Sequence, residues 1–189
     1  MLNLKALNEA EIAALYESSM RRDFPPSELK SLSAILNMLR RDAYDVLGAY
    51  DGTSLVAYAL MYRPKEGRIV LLDYLAVEPE WRNRGIGSML LRQLKAYYRE
   101  TADVLMIECE RPKSAPDEEE ARKRIRFYAQ SGARLTSVRI FLFDVEYSIM
   151  VMPCADEFNE RDWAEAMLGL YRQMLPPELY EQNVRLIRG

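Results

Sequence analysis

The segment Leu71-Leu72-Asp73-Tyr74-Leu75-Ala76-Val77-Glu78-Pro79-Glu80-Trp81-Arg82-Asn83-Arg84-Gly85-Ile86-Gly87-Ser88-Met89-Leu90 constrains the fold more than any other part of the chain. An apolar run ends at Val77, a turn follows at Pro79, two glycines stand one residue apart, and helical spacing begins with Met89 and Leu90. The order is strand, turn, glycine loop, helix. Glycines at a helix N-terminus let the backbone approach an anion, while amide N–H groups and the positive end of the helix dipole supply the attraction. Arg82 and Arg84 flank the loop with charge-assisted donors suited to a pyrophosphate.

The flanking segments predict a mixed sheet around that unit. Residues 8–22 place Ile12, Leu15, Tyr16 and Ser19 at helical spacing after Asn8, with Glu9 and Glu11 where the dipole favours anions. Pro25-Pro26-Ser27-Glu28 reads as the start of a second helix, with Leu29, Leu32, Ile35, Leu36 and Leu39 in phase. The joint between them, Arg22-Asp23-Phe24-Pro25, reads as a ligand-facing loop. Turns at Asp51-Gly52-Thr53 and Pro64-Lys65-Glu66-Gly67 separate three apolar runs, at 45–50, 55–62 and 68–77, into an antiparallel meander. A helix over Gly85–Arg99, a strand over Val104–Cys109, a helix over Glu118–Gln130 and a hairpin over Val138–Val151 bending near Asp144 follow. The order of two helices, three strands, helix, strand, helix and two strands indicates an α/β (α+β) fold. At 189 residues the chain suffices for one ordinary core. A last helix, Phe158 to Leu175, lines up Trp163, Met167, Leu170, Tyr171 and Met174 and reads as core packing, with a homodimer contact or a lid over a site as the functional alternative.

Three kinds of phosphate loop can be weighed against the glycine spacing. A P-loop ends in Gly-Lys-Ser/Thr, whereas Gly87 is followed by Ser88-Met89. A dinucleotide fingerprint needs a third glycine where Leu90 stands. What remains is Arg82-x-x-Gly85-x-Gly87 after Leu75-Ala76-Val77-x-Pro79, and here the sequence resembles a GNAT-superfamily N-acetyltransferase. Further on, Arg124-Ile125-Arg126-Phe127-Tyr128-Ala129-Gln130-Ser131-Gly132-Ala133 resembles the family's second motif, in the expected order.

The resemblance implies a GNAT-type, mostly antiparallel central sheet with a splayed-strand cofactor cleft, helices on both faces and an extra C-terminal helix. It implies a catalytic domain over 1–152, with a helical extension over 153–189 packed on the same domain. Acetyl-CoA is the implied co-substrate, with no metal. The backbone of Leu75, Ala76 and Val77 would hold the pantetheine arm, and Arg82, Asn83, Arg84, Gly85, Ile86, Gly87 and Ser88 the pyrophosphate. Tyr128 would lie near the thioester sulfur as general acid for the departing thiolate. Two features depart from the family pattern: Ala121 stands where an Asn is frequent, and the loop Arg111-Pro112-Lys113-Ser114-Ala115-Pro116-Asp117 is longer than usual, as an acceptor-shaping element or a solvated insertion.

The implied reaction transfers acetyl from acetyl-CoA to a primary amine of a small molecule or peptide by direct attack in a ternary complex. A non-catalytic acyl-CoA-binding or sensing module is the alternative, and another donor such as succinyl-CoA a third reading. The chain contains no histidine, which excludes Ser-His-Asp and Cys-His chemistry and leaves carboxylates, Tyr, Lys, Cys or water for proton transfer. Asp73 is the first candidate base; Glu108 and Glu110, alternating on one strand, come next, and an amine already neutral needs none. Phe24, Glu28, Tyr58 and Tyr62 are candidates to line the acceptor pocket, with core packing as the competing reading.

A net charge of −3 offers no broad attraction for nucleic acid and mildly favours cationic acceptors. The absence of a long apolar run argues against a membrane span, and a start lacking a signal pattern makes the cytoplasm the expected compartment. Cys109 and Cys154 are too few for a disulfide framework. Glu118/Arg122, Glu119/Lys123 and Glu120/Arg124 read as helix-stabilising pairs.

Overall fold

The computed structural model describes residues 2–154 and 163–187, in which the chain forms two compact units: Met1–Arg63 with Asp73–Leu90, and Pro64–Leu72 with Leu91–Gly189. The first unit opens with β1 (Asn3–Ala6) and α1 (Glu9–Leu15). Asn8 caps α1 in a reciprocal box, its Oδ1 accepting from the Glu11 amide at 3.0 Å while Glu11 Oε2 accepts from the Asn8 amide at 2.9 Å. The helix then widens into a π turn over Tyr16–Met20 and tightens again as α2 (Arg21–Asp23). After an irregular stretch comes α3 (Leu32–Arg40), capped by Ser31 Oγ, which accepts from the Ala34 amide at 3.3 Å.

The sheet of this unit is antiparallel where β1 meets β2 (Tyr44–Asp51) and where β2 meets β3 (Ser54–Tyr62). β3 is buried continuously from Val56 to Tyr62, as expected of a strand covered on both faces. The next strand, β4 (Ile69–Val77), contributes its second half here, followed by the first turn of α4 (Ile86–Tyr98).

In the second unit the first half of β4 pairs in parallel with β5 (Val104–Glu110), from Ile69↔Val104 to Leu72↔Ile107. A long helix, α5 (Glu118–Gln130), starts at Asp117, whose side chain accepts from the Glu120 amide at 2.9 Å. Then β6 (Arg134–Leu142) and β7 (Val145–Pro153) form a hairpin whose turn residues Phe143 and Asp144 both take positive φ, 47° and 64°. β7 lies antiparallel to β5 along the whole of that strand. The C-terminal part contributes α6 (Trp163–Met174), α7 (Pro177–Asn183) and β8 (Val184–Ile187), which pairs with β6. The strand order is β1-β2-β3-β4-β5-β7-β6-β8, a mixed α/β fold in which β4–β5 is parallel and the β1–β2, β2–β3, β5–β7, β6–β7 and β6–β8 pairs are antiparallel.

Several expectations require correction. Pro25–Glu28 does not open a helix: a single turn forms there, with the Glu28 and Leu29 amides on the Pro25 carbonyl, and helix proper waits until Leu32. The Tyr74 hydroxyl accepts from the Lys30 amide at 2.9 Å and donates to the Glu28 carbonyl at 2.7 Å, so groups that would enter a helix are bonded to the sheet. The predicted Glu120/Arg124 pair is replaced by Glu120 facing Lys123 at 3.9 Å, while Glu118–Arg122 at 2.5 Å and Glu119–Lys123 at 3.2 Å form as expected. β1, α7 and β8 are additional to the expected order, and residues 158–162 of the predicted last helix lie outside the described residues. Among the described residues no helix is long and apolar enough to cross a membrane.

Candidate functional site

After β4 the chain makes one 3-10 turn at Pro79–Trp81, then bends through Asn83 (φ 61°) and Gly85 (φ 73°) before α4 begins. Two left-handed residues in three reverse the chain tightly enough to bring the helix start beside the strand end, and glycine at the second removes the Cβ penalty. The first helical bond beyond the loop runs from the Met89 amide to the Gly85 carbonyl at 3.0 Å, which leaves the amides of Gly85, Ile86 and Gly87 ahead of the ladder. Ser88 completes the first turn. Amides so placed at a helix start can receive an anion.

The two arginines beside it differ. Arg84 lies over the Trp81 ring, 5.2 Å from its centroid, and has no carboxylate partner among the described residues. Arg82 turns inward, donating from Nε to the Val77 carbonyl at 2.9 Å and from Nη2 to Asp23 at 2.8 Å. The Val77 carbonyl, expected to face a pantetheine arm together with Leu75 and Ala76, thus already carries a donor.

Asp73 on β4 accepts from Lys30 Nζ at 2.8 Å and from the Tyr44 hydroxyl. Burial, then the charge and hydrogen bond of Asp73, raise the Tyr44 phenol well above its usual range, so it stays a donor. Phe24 meets the Tyr74 ring edge-on at 4.9 Å, the Glu28 carbonyl is the acceptor of the Tyr74 hydroxyl, and Tyr62 is buried with its pKa raised by that burial. Phe24, Glu28, Lys30, Tyr44, Asp73 and Tyr74 therefore form one connected group in the first unit. Tyr58, a further acceptor-pocket candidate, donates to Asp23 at 2.9 Å instead.

In the second unit Tyr128 projects from α5 with only 9% of its surface exposed. Burial, reinforced by Cys109 and opposed by Arg124, raises its pKa, and its hydroxyl has no hydrogen-bond partner among the described residues. Glu108 on β5 accepts from the Tyr171 hydroxyl of α6 at 2.5 Å. The neighbouring Cys109 is fully buried, which pushes its thiol up to about 12 and makes it inert. The long loop after β5 is anchored: Arg111 grips both oxygens of Glu146 at 3.0 and 2.9 Å, and Ser114 donates to the same carboxylate at 3.1 Å. Ala121 is buried on α5.

Sequence reasoning missed Ser19, Arg22, Asp23 and Glu78 as a group. Glu78 Oε1 accepts from Ser19 at 2.6 Å and Oε2 from Arg22 at 2.9 Å, and Arg22 also grips Asp23. No spacing rule marks residues nearly sixty positions apart, so local sequence carried no signal for this cluster.

Comparison with known proteins places these features in a family. A profile of the Acetyltransferase (GNAT) family matches residues 10–132. No curated protein matches the chain. Among solved structures, a protein assigned to the GNAT acetyltransferases of Bacteroides thetaiotaomicron aligns with a TM-score of 0.71 at 19% identity, covering 89% of this chain and 96% of the other. The ribosomal-protein-S18-alanine N-acetyltransferase of Escherichia coli aligns at 0.62 and 18%, covering 85% and 98%. The spermidine N-acetyltransferase of Vibrio cholerae, solved with CoA and spermine, aligns at 0.61 and 12%, covering 80% and 95%. With the family profile spanning well over half of its length, and the glycine loop within the matched part, the chain belongs to the GNAT acetyltransferase family.

Proposed function

We propose that this protein transfers an acetyl group from acetyl-CoA to a primary amine of a small molecule or peptide by direct attack in a ternary complex, with residues 1–152 as its catalytic domain and 153–189 as an extension. The observation that carries the reading is the loop from Arg82 to Ser88: left-handed Asn83 and Gly85, amides ahead of the α4 ladder, and Arg84 with no carboxylate partner among the described residues. That donor set suits a pyrophosphate. Bound acetyl-CoA would supply a thioester-activated acetyl group.

In this reading the amides of Gly85 to Gly87 and the Arg84 guanidinium fix the pyrophosphate. Tyr128, its pKa raised by burial and its hydroxyl without a hydrogen-bond partner among the described residues, is the proton donor to the leaving sulfur. Asp73 and Glu108 already accept from Lys30 and Tyr44 and from Tyr171, so we assign neither as the base; attack by the neutral fraction of the amine, its proton passing to water, requires none. Phe24, Glu28 and the group around Tyr74 supply the acceptor side.

The pairing of both carboxylates favours a second reading, a module that binds acyl-CoA without turnover. Incubation of the full chain with acetyl-CoA and a broad panel of amines, following thiol release against a no-acceptor control, separates the two. Acceptor-dependent release supports the transferase; CoA binding without turnover supports the module. Competition among acyl-CoAs tests the choice of donor.

A further inference from the structure

We propose that Asp23 is a positioning residue for the phosphate loop: its buried carboxylate holds Arg82, and through Arg82 the chain from Val77 to Gly85, in the shape that receives a pyrophosphate. The inference rests on the acetyl-CoA reading above and assigns Arg82, the first residue of the glycine motif, to the loop's framework rather than to ligand contact.

The Asp23 side chain is only 4% exposed, yet it accepts four hydrogen bonds. Oδ1 takes Arg22 Nε at 3.0 Å and Arg82 Nη2 at 2.8 Å; Oδ2 takes Arg22 Nη2 at 2.8 Å and the Tyr58 hydroxyl at 2.9 Å. Glu78, the residue immediately after β4, is the second buried carboxylate, bonded by Arg22 and Ser19 while its amide donates to the Val56 carbonyl at 2.9 Å. Two carboxylates and two guanidiniums balance, which is what keeps buried charges tolerable.

The connectivity gives the cluster its consequence. Arg82 spans from Asp23 to the Val77 carbonyl, so its side chain brackets the turn between the strand end and the left-handed pair Asn83 and Gly85. A loop with two residues in the left-handed region is a poor conformation to hold by itself, and an anion site works best when its donors are ordered before the ligand arrives. Removing the partner charge leaves Arg82 without its inward anchor and frees the loop. Asp23 also precedes Phe24, whose ring meets Tyr74, so the same carboxylate fixes the start of the segment carrying the acceptor-side candidates.

The test is calorimetric titration of CoA into the full-length wild type, Asp23→Asn, Arg82→Gln and the double variant, with amide hydrogen exchange over 82–88 in the free proteins. The expected result is a CoA affinity about tenfold weaker in each single variant and no weaker in the double, because the two residues act through one bond. Exchange should rise over 82–88 and stay unchanged in β5 and β7, a local signature that general destabilisation would not give. CoA binding to the variants at wild-type strength or tighter overturns the proposal, tighter binding meaning that Asp23 withholds Arg82 from the phosphates; so does an additive loss in the double variant. Should Asp23→Asn fail to fold, Arg82→Gln, at a half-exposed side chain, carries the test alone. A wild type that binds no CoA refutes the proposed function instead, and the exchange arm still decides whether Asp23 orders the loop.

Discussion

Tyr74→Phe isolates the contribution of one hydroxyl to the segment between α2 and α3. That hydroxyl donates to the Glu28 carbonyl at 2.7 Å and accepts from the Lys30 amide at 2.9 Å, while the ring meets Phe24 at 4.9 Å and 73°. Phenylalanine preserves the ring contact and removes both bonds. At about 1 kcal/mol net for each, lowered because water can reach this partly exposed segment, the loss should be about 1–2 kcal/mol. In a chain of this size that corresponds to a fall of about 3–6 °C in thermal midpoint. Scanning calorimetry measures the midpoint, and hydrogen exchange measures the Lys30 amide, which should lose protection while the amides of β2 and β3 keep theirs. The KM for the acceptor should rise with little change in that for acetyl-CoA. An unchanged midpoint with an unchanged Lys30 amide would refute the view that the Tyr74 hydroxyl holds this segment out of helical conformation.

Tyr128→Phe should slow acetyl transfer by about a hundredfold with CoA affinity within twofold, measured by thiol release and titration; equal turnover would remove Tyr128 from proton donation. Gly87→Trp should abolish CoA binding, because an indole would stand where the first turn of α4 faces the ligand, and retained binding counts against the cradle. Burial raises the pKa of Glu146, but the hydrogen bonds from Arg111, Arg139 and Ser114 outweigh it and hold the carboxyl below its usual 4.5. Its stabilising contribution is therefore complete above that value and is lost as the pH falls through the lowered one, so the stability gap between wild type and Glu146→Gln should close on acidification; a gap independent of pH sinks the assignment. Burial pushes Cys109 up to about 12 and Cys154 up to about 11, so a thiol reagent at pH 8 should label the native protein slowly and the unfolded chain fast.

Where the sequence was legible, the reason was local. Asn8 with Glu9 and Glu11 announces a helix start because cap and dipole act on the nearest turn, and the helix over Glu118–Gln130 forms over the residues its local pattern marks. The glycine loop was legible because left-handed backbone demands particular residues at particular places. The illegible parts were set by distant partners. Pro25–Lys30 has helical periodicity, yet a tyrosine more than forty positions away takes the backbone groups a helix would use. The short strands β1 and β8 carry no pattern of their own and exist because an exposed edge of β2 and of β6 accepts them. Within the candidate site the pattern Arg-x-x-Gly-x-Gly marked the loop but not the different surroundings of Arg82 and Arg84, since what separates them is a carboxylate contributed by another element.

The π turn at Tyr16–Met20 adds one residue to a helical circuit and so resets the phase of everything after it. Each residue of an α-helix advances about 100° around the axis. Winding Tyr16–Met20 as regular α-helix with all its residues kept would leave α1 and its capping box untouched while swinging Arg22 and Asp23 by about a quarter of a circle, whereas deleting one residue there would restore an uninterrupted helix and keep their facing. The wide turn thus acts as a phase adjuster: it lets the front of one helix face its own neighbours while the rear of the same helix delivers a carboxylate to a loop encoded nearly sixty residues later.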